Sequence, residues 1–495
     1  MDGLRRRRVI RAMTDLVVIG AGPAGVLAAL RASDLGARTV LVSSGDFGGM
    51  AANDGPVPVR TLAHAARLIR TARRFGQYGI DVSDPSLDYT RLLQRVREVV
   101  EDVRSHSSLR EQVDAAGVTV CENAGLARFE DPHTIVTAIG QRFQAEKIII
   151  CTGGVSRRLP IPGFDVTSTH TAALAMTAVP PSMLVVGGGA IGVQIASIFH
   201  AFGVHVELFE RGPRILSTED EDVAAVVAAA FRQEGMVVRE DCGVIESFEK
   251  TSTGVRMTFS KDGKRDSVEA ALAVIAAGWV ADTVGLNLAA AGVDANDRGF
   301  IKVDDYLRTS TPHIFAAGDV TGRVMLVPSA IREGFVAATN AVLGPTITLV
   351  EGVDTVAGFT DPEYAHVGLT EAMARDKYDP LTVVVHFDSA MRTIIDGCKT
   401  GFCKLIVDRK TATIVGCHVV GERAVEIAQM AAIAMSAGLR VDQLMQIPLA
   451  FPTYTGSLAY AIGFAVRQLD LHAEGARVGL GRAMDPLNRQ NAFLP

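Results

Sequence analysis

Two glycine clusters in this chain have the spacing that cradles a phosphate. Gly20-Ala21-Gly22-Pro23-Ala24-Gly25 follows the apolar run Leu16 to Ile19 and precedes the helical stretch Val26 to Leu35. Gly187-Gly188-Gly189-Ala190-Ile191-Gly192 follows Leu184 to Val186 and runs into a helix through Phe199. A strand passing through such a turn into a helix is the setting in which a dinucleotide fingerprint carries meaning. Gly20 and Gly187 allow the turn, Gly22 and Gly189 let backbone N–H groups approach a pyrophosphate, and Gly25 and Gly192 let helix and strand pack closely. The helix N-terminus, with Pro23 and Ala24 in one unit and Ala190 and Ile191 in the other, favours the anion. Two such units imply two dinucleotides. The strand Val204 to Phe209 ends in Glu210, which can accept both ribose hydroxyls of an adenosine and repel a 2'-phosphate, favouring NADH over NADPH. Arg211 beside it can hold that phosphate if Glu210 points away.

These turns require α/β layers to position them. The 495 residues are too many for one core, and the rough rule of 100 to 200 residues per domain suggests about three domains. A 48% hydrophobic and 21% charged composition with 6% aromatics places the chain among Ala/Val/Gly-rich soluble α/β proteins. A net charge of -6 predicts no general attraction to nucleic acid or anionic membrane. Arg5 to Arg8 form the one basic block, read as a solvated end or as residues upstream of a start at Met13, with a nucleic-acid arm as the minor alternative. No apolar run reaches the ~18 residues of a membrane span, so no insertion and a cytoplasmic location are expected. The six cysteines include no CxxC and no metal-like cluster, so no metal is predicted. Cys398 and Cys403 have a Cys-x4-Cys spacing, read as coincidence, with a hairpin thiol pair as the alternative. Helical spacing covers Thr61 to Arg74 and Asp88 to Gln112. Short strands are expected at Val118 to Cys121, Ala127 to Phe129, Thr134 to Ala138, Arg142 to Ala145, Lys147 to Cys151 and Leu272 to Gly278. From Glu351 the pattern becomes antiparallel (Thr355 to Phe359, Thr382 to Phe387, Phe402 to Asp408, Thr413 to Val420), with a helix from Ala424 to Ser436.

The segment Gly48-Gly49-Met50-Ala51-Ala52-Asn53-Asp54-Gly55-Pro56-Val57-Pro58-Val59-Arg60 resembles the GGTCxNxGCxPxK motif of the pyridine nucleotide-disulfide oxidoreductases, the family of dihydrolipoamide dehydrogenase, glutathione reductase and mercuric reductase. Gly48, Gly49, Asn53, Gly55 and Pro58 match its scaffold. Ala51 and Pro56 stand where the two redox cysteines belong, and Arg60 stands at the lysine beside the flavin. Thr152-Gly153-Gly154 and Pro160 to Gly163 match the close of the family's first FAD segment, and Thr311 to Val320 matches its second FAD motif, in which Asp319 would hold the ribityl chain. Leu326 to Ala330 with Glu333-Gly334 match the helix that turns backbone N–H groups toward the flavin. The resemblance puts Ser43 at the position of the FAD-ribose glutamate, and Gln194 at that of the glutamate paired with the flavin-side lysine. A buried ion pair is thus expected to become a hydrogen bond between Arg60 and Gln194. Gly278 closes the strand that borders the second nucleotide.

The resemblance implies an α/β fold with two Rossmann-like dinucleotide-binding domains, for FAD and NAD(P), plus an α+β C-terminal dimerisation domain. The expected segments are 13–163 (FAD), 164–284 (NAD(P)), 285–350 (FAD again), 351–470 (interface) and a tail, 471–495. In the family the interface domain delivers a His-Pro-Thr loop to the partner's flavin. Here the loop reads Phe451-Pro452-Thr453-Tyr454-Thr455-Gly456, with Phe451 at the acid–base histidine and Gly456 at its orienting glutamate. Neither shuttles a proton. With the dithiol positions substituted, what remains is an FAD-dependent NAD(P)H oxidoreductase of diaphorase type. It would form a homodimer and pass electrons to a small acceptor such as a quinone, another nicotinamide or oxygen. Arg60 and Tyr454 are the candidate catalytic side chains. Tyr454 is read either as a proton donor or as a packing or interface residue, and His64 as another possible donor or an ordinary helix histidine. The alternatives are a nucleotide-binding structural or regulatory protein without turnover, and a disulfide reductase using a non-standard thiol pair.

Overall fold

The computed structural model of the chain describes residues 14–106, 109–349 and 353–471. The Arg5 to Arg8 block, the possible start at Met13 and nearly all of the expected tail lie outside the described residues.

The first layer is a seven-stranded sheet built around Thr14–Ile19, which pairs in parallel with Thr39–Val42 on one side and Arg142–Ile150 on the other. Arg142–Ile150 is one strand where the sequence suggested two. Its first half alternates exposed and buried residues and pairs antiparallel with Thr134–Thr137; its second half is buried throughout and lies parallel to Thr14–Ile19 and Ile314–Ala316. A strand covered on one face must alternate, and one covered on both need not. The helices Pro23–Asp34 and Val327–Leu343 pack across the parallel part, and a side chain at Gly334 would run into the Ala24 carbonyl. The expected helix Thr61 to Arg74 begins earlier, as Pro56–Arg73, with proline in its first turn where no N–H is needed. The expected helix Asp88 to Gln112 is two helices, Tyr89–His106 and Leu109–Ala115, the second turning Leu109 and Val113 into the core.

The second layer is a parallel five-stranded sheet in the order Val237–Arg239, His205–Phe209, Ser182–Val186, Leu272–Ile275, Ser168–Thr169. Two elements not anticipated from sequence flank it: the helix Glu221–Gln233 and an antiparallel meander, Val244–Lys250, Val255–Lys261 and Lys264–Ala270. The meander buries Phe248, Met257 and Phe259 against Val186, Phe209 and Ile275. The third layer is an antiparallel five-stranded sheet ordered Val356–Gly358, Tyr364–Gly368, Ile414–Val420, Phe402–Asp408, Pro380–His386. Its helices Ala424–Ser436 and Gly456–Gln468 pack over it.

Candidate functional site

The three layers enclose a cavity of about 1700 Å³. Both glycine turns open into it and are built alike. Gly20 has φ 109° and Gly187 φ 108°, a region that favours glycine. Gly20 N–H donates to the Val42 carbonyl at 2.7 Å and Gly187 N–H to the Phe209 carbonyl at 2.8 Å, so each turn is pinned to the end of the neighbouring strand. Gly22 and Gly189 line the cavity, and a Cβ on either would meet nothing within 4 Å, leaving room for a phosphate to approach the backbone. Gly25 and Gly192 do not line it. They lie beneath the turns, where a side chain would collide with the Gly20 and Gly187 carbonyls. Pro23, Ala24, Ala190 and Ile191 complete the two helix entrances in the wall.

At the first turn the wall continues through Ser43, Gly49, Thr152, Gly153 and Asp319. Ser43 is buried at the end of Thr39–Val42. Thr152 carries a buried hydroxyl with no hydrogen-bond partner, and burial raises the pKa of the Asp319 carboxyl. An orphan hydroxyl and a desolvated carboxylate facing a cavity with a glycine cradle fit the hydroxyl- and phosphate-bearing chain of FAD. Behind them lies Glu333, whose role was not foreseen. It accepts from Gly318 N–H at 2.7 Å and from the Thr321 hydroxyl at 3.3 Å, and burial pushes its pKa up to about 7. Asp54 and Asp282 also line the cavity with pKa values raised by burial. Asp54 sits at a variable position of the Gly48 to Arg60 motif, and Asp282 in a stretch matching no pattern, so neither had a readable signal.

The loop from Gly48 keeps its scaffold. Gly48 N–H bonds the Ala21 carbonyl at 2.9 Å, and Asn53 donates to the Gly49 carbonyl at 2.8 Å and accepts from Arg104 at 2.7 Å. Ala51 and Pro56 therefore stand in the cavity wall with Met50 and Val59. The six cysteines are all free. Cys151 lies under the first turn and Cys242 at the far end, each with its pKa raised by burial. Cys398 and Cys403 are not partners: the Cys398 thiol is directed at the Asp396 carbonyl at 3.4 Å, and Cys403 is buried against Cys417. Among the described residues no group of three or more His, Cys, Asp or Glu is arranged to hold a metal ion.

The expected Arg60–Gln194 hydrogen bond is not formed. Gln194 donates to the Ala190 carbonyl at 2.9 Å and accepts from Phe359 N–H at 3.3 Å, while the Arg60 guanidinium stacks on the Phe359 ring, 2.9 Å from its centre. Both side chains thus reach Phe359, a residue of the third layer, whose flat ring offers Arg60 a partner that the carboxamide does not. Arg60 opens onto the cavity, yet the walls enclose it enough that desolvation lowers its pKa, with Glu363 opposing. Tyr454 lies outside this cavity. Its hydroxyl donates to Asp396 at 2.8 Å, Arg392 sits over its ring, and burial and the Asp396 hydrogen bond push its pKa upward. A phenol so held is a poor proton donor within its own chain. Phe451, in the same loop, is 67% exposed, and His64 is exposed on its helix.

At the second turn Glu210 is fixed. It accepts from Gly188 N–H at 2.7 Å and from Gly212 N–H at 2.6 Å, which holds its carboxylate at the cavity rim beside Arg211. Gly278, with φ 98°, lines the same end.

The pyridine nucleotide-disulphide oxidoreductase family matches residues 14–334, and that family's dimerisation domain matches 355–462. Mercuric reductase from Bacillus cereus is 31% identical over 455 residues, covering 90% of this chain and 71% of that protein. Dihydrolipoyl dehydrogenase from Thermus scotoductus is 32% identical over 441 residues, covering 87% and 92%. The HOCl-induced flavoprotein disulfide reductase RclA from Escherichia coli superposes with a TM-score of 0.80 at 26% identity, covering 90% of this chain and 99% of that one. With its two glycine turns, its FAD-compatible wall and its dimerisation domain, the chain belongs to the pyridine nucleotide-disulphide oxidoreductase family and is an FAD-dependent oxidoreductase.

Proposed function

We propose that this protein is a homodimeric, NADH-preferring oxidoreductase that passes electrons from the flavin directly to a small acceptor that is not a disulfide, a quinone being the best fit. One observation carries the reading: Ala51 and Pro56 occupy the cavity wall on a loop whose scaffold is otherwise intact. FAD, when bound, supplies the electron relay between the nicotinamide and the acceptor. The chain supplies orientation and enclosure. The glycine turns hold the phosphates, Asp319 and Thr152 take the hydroxyls, and Arg60, braced on Phe359, keeps a cation at the flavin end. Met50, Ala51, Pro56 and Val59 make that end apolar and flat-sided, which suits an aromatic acceptor better than a thiol.

The NADH preference rests on the two backbone N–H groups that hold Glu210 in place. Glu210→Ala is expected to shift the ratio of kcat/KM for NADH over NADPH by about 100-fold toward NADPH, since it removes two hydroxyl acceptors and the repulsion of a 2'-phosphate. A ratio unchanged in initial-rate kinetics would refute that role.

The deciding experiment is anaerobic titration of the purified protein with NADH. Bleaching of the flavin absorbance without a long-wavelength thiolate–flavin band is expected, followed by reoxidation with a quinone and none with lipoamide or oxidised glutathione. Flavin that neither NADH nor NADPH bleaches would favour a nucleotide-binding protein without turnover. Reduction of lipoamide or glutathione at rates matching the quinone would restore the disulfide reading.

A further inference from the structure

His366 lies in the strand Tyr364–Gly368 of the third layer. From there it reaches the cavity wall beside the nucleotide layer. Its Nδ1 is 2.6 Å from the Glu219 carboxylate, which is 3% exposed, and its ring stacks on His418 with centres 5.4 Å apart. A carboxylate partner fixes the proton on Nδ1 and leaves Nε2 as the free edge of the ring. That nitrogen has no partner among the described residues, and the side chain keeps 15% of its surface exposed.

Where that edge lies follows from the loop after Glu210. Leu216 N–H donates to the Gly188 carbonyl at 2.8 Å, tying the loop to the second glycine turn, and Ser217 and Thr218 then line the cavity immediately before Glu219. On the other side Val356, the cross-strand partner of His366, and Phe359, which is bonded to Gln194, line the same wall. His366 thus stands between the Glu210 end, which suits an adenosine ribose, and the Arg60 end, which suits the flavin. We infer that His366, supplied by the dimerisation domain, contacts the bound nicotinamide dinucleotide at its pyrophosphate and the adjoining nicotinamide-side ribose. The role is one of binding: a ring held rigid by Glu219 offers Nε2 to a ribose hydroxyl or, when protonated, to a phosphate oxygen. The inference rests on the nucleotide reading of the second glycine turn.

The test is calorimetric titration of the FAD-loaded protein with NAD+, ADP-ribose and AMP. His366→Ala is expected to weaken NAD+ and ADP-ribose by about 10-fold, the worth of one hydrogen bond to a charged or strongly polar group, while AMP changes by less than about twofold. Because the single change strands the buried Glu219, the double variant Glu219→Gln/His366→Ala is measured beside it and should show the same selective loss. Unchanged affinities for NAD+ and ADP-ribose overturn the inference. So does a loss that includes AMP, since His366 would then act by holding the loop, and so does recovery of binding in the double variant, which would trace the loss to the stranded carboxylate. Wild-type protein that binds none of the three nucleotides would instead sink the nucleotide reading beneath it.

Discussion

Replacing Lys404 with methionine is expected to destabilise the protein by about 3–5 kcal/mol, the usual consequence of stranding one side of a buried ion pair. Lys404 sits in the fully buried strand Phe402–Asp408, its side chain only 4% exposed, and yet it is charged. Its Nζ lies 3.1 Å from Asp220, 2.5 Å from Asp222 and 3.3 Å from Glu371, and these carboxylates outweigh desolvation and raise its pKa. Asp220 and Asp222 belong to the nucleotide layer, at the start of the helix Glu221–Gln233, whereas Lys404 and Glu371 belong to the dimerisation layer. The cluster therefore fixes two domains against each other at the back of the loop that carries Glu210, Ser217 and Glu219. Methionine fills the space of the lysine stem but leaves Asp220 buried beside Glu371, with His418, 3.8 Å away, as its one remaining basic neighbour among the described residues. The measurement is urea unfolding of the FAD-loaded protein, with Lys404→Met/Asp220→Asn as control. The second change removes the most buried of the orphaned charges, and the double variant should recover about half of the loss, because the contacting sites are not additive. A single variant within about 1 kcal/mol of wild type would show that the cluster behaves like a surface ion pair.

What was legible in the sequence divides along physical lines. The two phosphate turns could be read because their backbone demands glycine at fixed spacing, by left-handed φ at Gly20 and Gly187 and by lack of space at Gly25 and Gly192. The helix Ala424–Ser436 was legible to the residue because its apolar stripe is uninterrupted. The meander Val244–Ala270 was not, since it is mostly exposed, its apolar residues are sparse and its charged ones fall on both faces. Contacts between layers were the least visible. Arg60 and Gln194 were expected to meet each other because each stands at a position the family pairs, but Phe359 from another layer took both. No local pattern announces a ring that arrives from some 300 residues away. His366 was illegible for the same reason: it looks ordinary in its own strand, and only the packing of one domain on another brings it Glu219. Glu333 was legible as part of its helix but not as a buried acceptor, because its partners Gly318 and Thr321 reach it only through the turn that folds back beneath that helix.

Glu333 is expected to withdraw stability as pH rises from about 5 to 8, and Glu333→Gln to remove that contribution. Glu333 is 1% exposed, and burial holds its carboxyl at about 7 against an ordinary value of 4.5. A folded-state pKa above the unfolded one means that the folded protein binds the proton more tightly. The stabilisation is complete below pH 4.5, and it is lost as pH rises through 7 and the buried group must ionise. The difference corresponds to about 3 kcal/mol when ionisation is complete. Glutamine keeps the acceptor for Gly318 N–H and cannot ionise, so its variant should match the wild type near pH 5 and exceed it near pH 8. Glu363, also held at about 7 mainly by burial, adds a slope of the same sign, and His170, His313 and His418, whose pKa values burial lowers, add slopes of the opposite sign, so the comparison is between the two proteins and not with a flat line. Melting midpoints at several pH values, with FAD in fixed excess, give the comparison. Parallel curves for the two proteins would mean that Glu333 titrates as an ordinary carboxylate. In that case the floor beneath Asp319 would be wetter than its packing indicates. A converging pair at low pH would tie the stability of the flavin site to one buried proton, placed where the strand Ile314–Ala316 ends and the helix Val327–Leu343 closes over it.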